Sequence, residues 1–561
     1  MATRVATPQV GPAPRSHHTR IAPGETVEAF IDRIGVFAID DQGVARLPVL
    51  VGGALLVPEL PSADKLEEAI ASGLRSVDVC ETHLVMADAE VDGRRLRCLA
   101  LPRMTDPAAL VPKDIEDRMR SIYPLDFGAV AAYVDAIGRA MAPSGALVSR
   151  VLPLAIACSD QPEYFVRLGF ADVHAAFDGT ALGRAIDREL EYDGRPGRAY
   201  LDGWVDIPDH IAAGAMAIAR AKMGGSAASK ASAAPTASAA CRRRLRAVPT
   251  TQLHITAGNS PVVPAISALR AFATKGAVTV KLPSGALVAG AAFALAMHVT
   301  APEHPLTRHA SIAYWPGGDD AVESVLLRHG AFERIVVWGS RASVDAVAAR
   351  AAGTKTLVFN PRYGVSLIGR AALAPGMIEE AARRAAQDTF VWNQQACIAS
   401  LVHYAEGSGT EIDRYCAALT KELASWDVAH DHQPDRAMVG RIRTARRGEL
   451  SDGKWIINGP PVAPTSAVVR MDRGFDLTAH PQARVVVVRA VNDLAETLHL
   501  MHSGVSSVGI FPMERLDGLR DEICGRGVTS VIPLGEADTL FAGSPHDGMR
   551  PLSELVSWSV S

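Results

Sequence analysis

The chain has 561 residues, of which 48% are hydrophobic and 21% are charged, and its formal net charge is −4. This length exceeds what one hydrophobic core can serve, so we expect roughly three or four domain-sized units. The near-neutral charge argues against a protein that binds nucleic acid or an anionic membrane through bulk charge. The longest apolar run, residues 286–299, is too short and too rich in alanine to span a bilayer.

The seven cysteines are scattered and form no CxxC pair. An odd, dispersed set fits a reducing compartment and indicates neither a disulfide framework nor a zinc site. Residues 1–22 are rich in Pro, Ala, His and Arg and contain no apolar run. They are typical of a disordered tail, with a transit peptide as the alternative. We predict a cytoplasmic protein with no metal site and no transmembrane segment.

Residues 23–211 carry no chemical motif, and we interpret them as a substrate-side or structural region. Short strand-like runs such as Val36–Ile39 alternate there with two amphipathic patterns, Glu59–Ser72 and Asp126–Met141, which predict helices. Residues 212–246 form an Ala/Ser/Gly-rich linker that cannot bury enough surface to fold alone. The linker closes in four arginines, which could meet phosphates or lie solvated at the linker end.

Repeated strand–turn–helix units begin near Gln252 and predict a parallel sheet with crossover helices. The first block, residues 247–374, has its predicted strands at Leu253–Thr256, Ala277–Lys281, Arg334–Trp338 and Thr356–Phe359. The second block, residues 375–533, has its predicted strands at Leu401–Tyr404, Ala467–Arg470, Val485–Val488 and Ser507–Ile510. Residues 534–561 are expected to pack back on the core.

One cysteine, Cys397, stands among small and polar neighbours in Trp392–Ser400. It follows a predicted helix at residues 376–387 and precedes a predicted strand. A thiol at such a junction can lie in a cleft, where substrate can reach it and where it can act as a nucleophile. The alternative is a buried structural cysteine, because cysteine is among the most buried residue types.

Three turns follow predicted strands in the first block: Gly258–Pro261, Lys281–Gly285 and Gly339–Ser340. Ligands bind at the carboxyl ends of the strands in open α/β sheets, and free N–H groups at helix starts hold phosphates. No GxGxxG pattern is present, so the ordinary dinucleotide fingerprint is missing. Each turn taken alone could equally be a plain strand–helix connection.

The order of these features resembles the aldehyde dehydrogenase superfamily, and more closely its fatty acyl-CoA reductase branch, the LuxC-type enzymes. The landmarks in chain order are Asn259 with a proline, Lys281, Gly339-Ser340, Gln394-Gln395-Ala396-Cys397, and the C-terminal Gly543–Gly548 with Arg550-Pro551-Leu552. The superfamily resemblance covers Leu253–Val531, and the reductase resemblance extends to Trp558. It implies an α/β, aldehyde dehydrogenase-like fold with two Rossmann-like parallel-sheet domains, an additional N-terminal region, and a homo-oligomer.

The resemblance also implies residue roles. Cys397 would attack the thioester of an acyl-CoA or an acyl carrier and become acylated. The Asn259 amide would donate to the developing oxyanion. Lys281 would contact the adenosine ribose or its phosphate, and Gly339 and Ser340 would lie beside the pyrophosphate.

Three departures from the superfamily pattern refine this interpretation. The segment Val358–Ser366 lacks the glutamate that activates water, which favours acyl transfer to a thiol over hydrolysis. Ser284 stands where many NAD-dependent relatives place a glutamate, which favours NADPH over NADH. Residues 478–485 lack the Glu-x-Phe-Gly-Pro segment, which leaves recognition of the nicotinamide ribose unassigned. His502 and His546 could act as acid or base, with structural or surface histidines as the alternative.

We therefore predict an NADPH-dependent enzyme that reduces a fatty acyl-CoA to the aldehyde through a cysteine acyl-enzyme. One alternative is a hydrolytic NAD(P)-dependent aldehyde dehydrogenase with its base at an unexpected position. The other is a non-catalytic scaffold that retains the fold.

Overall fold

The computed structural model describes residues 20–112, 114–207, 243–430, 432–539 and 543–561. Most of the predicted tail (residues 1–22) and of the predicted linker (residues 212–246) lies outside these ranges. Within the described residues, no helix combines the length and apolar character needed to cross a membrane.

The strands of the described residues are numbered in chain order. They are β1 Val44–Arg46, β2 Val49–Val51, β3 Ala54–Leu56, β4 Ser76–Val79, β5 Thr82–Val91, β6 Arg94–Pro102, β7 Val205–Asp206, β8 Arg244–Pro249, β9 Thr251–Ile255, β10 Ala277–Lys281, β11 Ala310–Ala313, β12 Arg334–Trp338, β13 Lys355–Phe359, β14 Tyr363–Ile368, β15 Ser400–Glu406, β16 Lys454–Asn458, β17 Ser466–Met471, β18 Val485–Val491, β19 Val505–Phe511, β20 Ser530–Pro533 and β21 Val556–Val560.

The α-helices of the same residues are numbered likewise. They are α1 Val27–Ile34, α2 Ala63–Ala71, α3 Ile115–Ser121, α4 Phe127–Ala140, α5 Ala146–Ala157, α6 Glu163–Ala176, α7 Gly179–Glu189, α8 Gly197–Asp202, α9 Val263–Ala273, α10 Leu287–Thr300, α11 Pro305–Arg308, α12 Asp320–Leu326, α13 Arg341–Arg350, α14 Ile378–Phe390, α15 Gly409–Ala429, α16 Arg436–Arg447, α17 Leu516–Gly525 and α18 Pro551–Glu554.

The first large sheet has the strand order β13-β12-β9-β10-β11-β2-β3. Strands β9 to β13 run parallel, and Ile255 pairs with both Lys281 of β10 and Val337 of β12. The carboxyl ends of these three strands therefore lie at one edge. Helix α10 covers the sheet and is apolar and buried along nearly its whole length, as expected of a helix enclosed on all sides.

The second large sheet has the order β16-β17-β18-β15-β14-β19-β20 and is parallel except for β16. Strand β14 belongs to this sheet, so the chain changes sheets between Phe359 and Tyr363. The predicted boundary at residue 374 lies beyond this change, because β14 is a short apolar run that resembles the strands of the first block. Together the two sheets confirm the predicted α/β class with two largely parallel sheets.

The N-terminal region contributes to two layers. Strands β2 and β3 extend the first large sheet, with Leu50 paired to Ile312 of β11. Strands β1, β6, β5 and β4 form a separate four-stranded sheet. The strand predicted at Val36–Ile39 is wrong: Ile39 makes only an isolated bridge to Ala45, although Val36 and Phe37 are buried.

The C-terminal strand β21 pairs with β8, which pairs with the short β7. The arginines predicted as a solvated linker end are therefore partly in a strand. Arg244 donates from Nε to Asp206 at 2.9 Å. The buried Arg246 guanidinium lies 3.5 Å from the centre of the Tyr123 ring. A 3-10 helix, Leu494–Leu500, precedes strand β19.

Gly364 marks a place where the second sheet admits no side chain. Its register with β15 and β19 shifts there, and a Cβ at this position would lie 2.2 Å from the Ile398 carbonyl oxygen. Gly364→Ala should therefore destabilise the protein by about 1–3 kcal/mol, because the backbone beside Cys397 must move. Urea unfolding measures this change.

The matched control is Gly440→Ala in helix α16, where a Cβ meets no other atom within 4 Å. This control should stabilise the helix by about 0.5–1 kcal/mol, because alanine restricts the unfolded chain more than glycine does. Equal stability of the two variants would contradict the close approach at Gly364.

Candidate active site

Cys397 lies in the connection from helix α14 to strand β15, next to the carboxyl edge of the first sheet. Its side chain is half-buried and its thiol is free. The Ser506 hydroxyl donates to the Cys397 carbonyl oxygen, and the Ala399 N–H donates to the Ala396 carbonyl oxygen at 3.0 Å. The connection is therefore tied to β19 and closed by its own turn.

Three consecutive residues before the cysteine have left-handed backbones. Trp392, Asn393 and Gln394 have φ values of 48°, 55° and 62°. None is glycine, and each such residue costs about 1–2 kcal/mol because its Cβ approaches the following carbonyl oxygen. Strain of this kind persists only where surrounding contacts impose it.

Side chains of the turn are held by strand β18. Gln394 donates from Nε2 to the Val485 carbonyl oxygen at 2.7 Å, and the Val485 N–H donates back to Oε1 at 3.1 Å. Arg484 donates from Nε to Asn393 Oδ1 at 2.5 Å, and its Nη1 donates to Asp427 at 2.5 Å. The Arg484 and Asp427 side chains are 1% and 7% exposed, so the turn rests on a buried ion pair. The sequence offers no local signal for Arg484, which lies in the unassigned segment 478–485.

Asn259 connects the two sheets at the cysteine. It follows β9, and its carbonyl oxygen accepts a hydrogen bond from Gln161 Nε2 at 2.8 Å. Its side-chain Nδ2 donates to the Gln395 carbonyl oxygen at 3.1 Å. One N–H of the Asn259 amide is thus committed to the Cys397 connection, and the second remains for another acceptor. The structure thus places the Asn259 side chain against the connection that carries Cys397.

The four predicted cofactor residues lie at or just after the carboxyl ends of strands β10 and β12, at the same sheet edge. The Lys281 ammonium lies 5.6 Å from the centre of the Trp315 ring, and burial lowers its pKa. Ser284 is exposed in a 3-10 turn. Gly339 precedes Ser340, whose hydroxyl caps helix α13.

Two of the turns at the carboxyl edge of the first sheet approach each other closely. A Cβ on Gly285 would lie 2.8 Å from the Gly258 carbonyl oxygen, so two strand–helix turns pack backbone to backbone. The exposed Ser284 and Ser340 hydroxyls and the start of helix α13 follow strands at this edge, an arrangement that can hold phosphates.

A C-terminal turn reaches the same site. His546 and Met549 exchange two backbone hydrogen bonds of 2.9 Å, and Asp547 and Gly548 between them have φ values of 52° and 76°. Positive φ at both central residues is typical of the Asp-Gly hairpin turn. The Cys397 sulfur, one ring nitrogen of His546 and one carboxylate oxygen of Asp547 all lie within 4.8 Å of one another. The sequence indicates His546 only as a candidate acid or base and gives no role to Asp547, whose Asp-Gly pair predicts a turn but not where that turn lies in the fold.

Burial raises the pKa of the Cys397 thiol to about 11, and Asp547 adds to this rise. Arg362 opposes it, and its Nε lies 3.7 Å from Asp547 Oδ1. Burial also raises the pKa of Asp547. Near pH 7 the Cys397 thiol therefore keeps its proton in the free protein, and nucleophilic attack requires a proton acceptor.

His546 is fixed as a neutral ring. Arg270 donates from Nη2 to His546 Nδ1 at 2.8 Å, and the ring packs edge-on against Trp338 and Phe359 at 5.2 and 4.9 Å between centres. Burial, Arg270 and Arg362 lower its pKa to about 3. His502, in contrast, is exposed and contacts Tyr363.

The segment that lacks the expected glutamate supplies Arg362 to the site instead. Among the described residues, a carboxylate nevertheless reaches Cys397 from Asp547 of the C-terminal turn. The missing glutamate therefore does not leave the cysteine without an acidic neighbour.

A model of the acyl-CoA reductase (LuxC) family matches residues 242–558. The long-chain acyl-protein thioester reductase of Vibrio harveyi is 26% identical over 316 residues, and that of Aliivibrio fischeri is 28% identical over 317 residues. Each alignment covers 54% of this chain and 62% of the relative, so this chain spans less than two thirds of those proteins.

Solved structures share the fold at low identity. An oxidoreductase from Marinobacter aquaeolei has a TM-score of 0.63 at 13% identity, over 92% of this chain and 98% of the other. The NADP-dependent glyceraldehyde-3-phosphate dehydrogenase of Bacillus halodurans has a TM-score of 0.62 at 11% identity, over 92% and 98% of the two chains. The match to the family model extends over more than half of the sequence and takes in both Asn259 and Cys397, and the chain belongs to the acyl-CoA reductase (LuxC) family.

Proposed function

We propose that this protein reduces a fatty acyl thioester to the aldehyde, with Cys397 as the acyl acceptor and NADPH as the reductant. The observation that carries the proposal is the hydrogen bond between the Asn259 amide and the Cys397 connection, at the edge where the strands of the first sheet end. Family membership and the names of the reductase relatives support the same activity.

Cys397, Asn259 and the turn before the cysteine each have a separate role in the transfer of the acyl group. The Cys397 sulfur attacks the thioester carbonyl carbon and displaces the thiol of CoA or of a carrier protein, which leaves an acyl-cysteine. The free N–H of the Asn259 amide donates to the oxygen that becomes negative during the attack. The strained turn at Trp392–Gln394 fixes the approach of the sulfur, so little reorganisation is needed when substrate binds.

The cofactor edge fits a dinucleotide through its donors. Lys281 supplies a cation, Ser340 begins a helix whose first N–H groups can hold phosphate, and exposed Ser284 leaves room for a 2′-phosphate. When bound, NADPH supplies the hydride that reduces the acyl-cysteine. A glutamate at position 284 would repel the 2′-phosphate, which is why the serine favours NADPH over NADH.

Acylation of Cys397 is the first expected outcome. Wild-type protein mixed with dodecanoyl-CoA should gain the mass of one dodecanoyl group, and added NADPH should remove it as dodecanal. Cys397→Ser should gain no acyl group, because a serine hydroxyl is a much weaker acid and a weaker nucleophile than a thiol. Intact-protein mass spectrometry and aldehyde analysis measure both steps.

Cys158→Ser is the matched control, since burial raises the pKa of that half-buried thiol to about 12. It should be acylated like the wild type. Acylation of Cys397→Ser would refute the nucleophile, and free dodecanoate in place of aldehyde would favour the hydrolytic alternative. A wild type that neither becomes acylated nor binds either nicotinamide dinucleotide would favour the scaffold.

Ser284→Glu should change cofactor preference. We expect the ratio of kcat/KM for NADPH to that for NADH to fall at least about tenfold, a difference of about 1.4 kcal/mol. Ser425→Glu adds the same charge at an exposed position on helix α15 and should leave the ratio unchanged. An unaltered ratio in Ser284→Glu would contradict the assignment of this residue to the 2′-phosphate.

A further inference from the structure

We propose that Asp547 is the catalytic base that takes the proton from the Cys397 thiol and returns it to the departing thiolate. This role lies within the acyl transfer proposed above and depends on it. Among the described residues, the Cys397 sulfur, a ring nitrogen of His546 and a carboxylate oxygen of Asp547 form a cluster in which each atom lies within 4.8 Å of the others. Catalytic hydrogen bonds in ligand-free proteins are often long and shorten when substrate binds.

His546 cannot perform this task. A guanidinium has donors and no acceptor, so the bond from Arg270 requires that His546 Nδ1 be unprotonated. The neutral ring then carries its hydrogen on Nε2, and neither nitrogen is free to accept a proton from the thiol. A second proton on the ring would place a cation beside Arg270 and Arg362, in surroundings that already disfavour charge.

Asp547, in contrast to His546, has oxygens that can accept a proton. Its side chain is 5% exposed and burial raises its pKa, which favours taking up a proton, while Arg362 at 3.7 Å opposes this rise and favours the carboxylate anion. The left-handed backbone at Asp547 is one that aspartate tolerates, and the bond pair between His546 and Met549 holds the turn in place. The carboxylate is thus presented to the thiol by backbone geometry rather than by a flexible loop.

The remaining charged and titratable groups around the pair are accounted for. They are Arg362 from the segment after β13, Arg270 from helix α9, His546 from the turn, and Asp538 after β20. Asp538 contributes to the high pKa of Cys397 only through its charge and is not part of the close cluster.

A metal ion is a poor occupant of this cluster. The Arg270 guanidinium occupies one nitrogen of His546, and the Arg362 guanidinium lies beside Asp547. Two fixed cations would therefore oppose a third positive charge. Proton transfer needs only the thiol and the carboxylate, which the arginines do not block.

The Sγ–H proton moves to an Asp547 carboxylate oxygen while sulfur donates its electron pair to the thioester carbonyl carbon. The tetrahedral intermediate then expels the thiolate, which keeps the electrons of the broken C–S bond and receives the proton from Asp547. The products are acyl-cysteine and free thiol, and the carboxylate is regenerated. No oxidant or reductant takes part.

Replacing Asp547 with a neutral residue should change two measured rates of Cys397, alkylation and acylation, in opposite directions. Asp547→Asn removes a negative charge that raises the pKa of Cys397, so the thiol should ionise more readily and react faster with iodoacetamide. The same variant loses the base, so acylation by dodecanoyl-CoA at pH 7 should slow by about 10²–10⁴-fold. Stopped-flow acylation and iodoacetamide alkylation of Cys397 are measured on the full chain.

Asparagine also tolerates the left-handed backbone, so the melting temperature should stay close to that of the wild type. Asp538→Asn is the matched control: it should speed alkylation without slowing acylation. Acylation of Asp547→Asn at the wild-type rate or faster would overturn the proposal. Equal slowing of acylation and alkylation would also overturn it, because a displaced thiol explains both. Failure of wild-type acylation would instead refute the proposed function itself.

Discussion

The architecture of the site depends on a left-handed turn that the sheet holds in place. Trp392, Asn393 and Gln394 each have a backbone that non-glycine residues avoid, and the buried Arg484–Asp427 pair with the Gln394–Val485 bonds opposes this cost. Removing one member of a buried ion pair leaves an unpaired charge, which is strongly unfavourable. The position of the Cys397 sulfur thus depends on these contacts within the second sheet and on the Asn259–Gln395 hydrogen bond from the first sheet.

Burial raises the pKa of the Cys397 thiol, and the charged residues around it determine how the thiol can lose its proton. A thiol with a pKa of about 11 is unreactive near pH 7, and the site also holds two cations, Arg362 and Arg270, of which Arg362 partly opposes the effect of burial on that pKa. Asp547 balances one of these cations, and the neutral His546 engages the other. The site therefore retains a protonated thiol beside a carboxylate, an arrangement that releases the nucleophile only when a proton can move.

The elements that the sequence predicted best are buried parallel strands. Ala277–Lys281 and Arg334–Trp338 have the predicted bounds, because short apolar runs between Gly or Pro turns have one stable arrangement in a covered sheet. The positions of Asn259, Lys281 and Gly339 at one edge follow directly, since parallel strands end together. The roles of these residues stay predictions until the variants are measured.

The elements that the sequence could not place depend on contacts between distant segments. Nothing local indicates that Val49–Val51 joins the first sheet, that Arg484 supports the turn before Cys397, or that Asp547 reaches the thiol. The glutamate missing from Val358–Ser366 favours acyl transfer to a thiol over hydrolysis, although the C-terminal turn brings another carboxylate within 4.8 Å of the same sulfur. A motif records where a residue stands in the chain, whereas proton transfer requires only that two atoms meet, and a fold can satisfy that requirement from another segment.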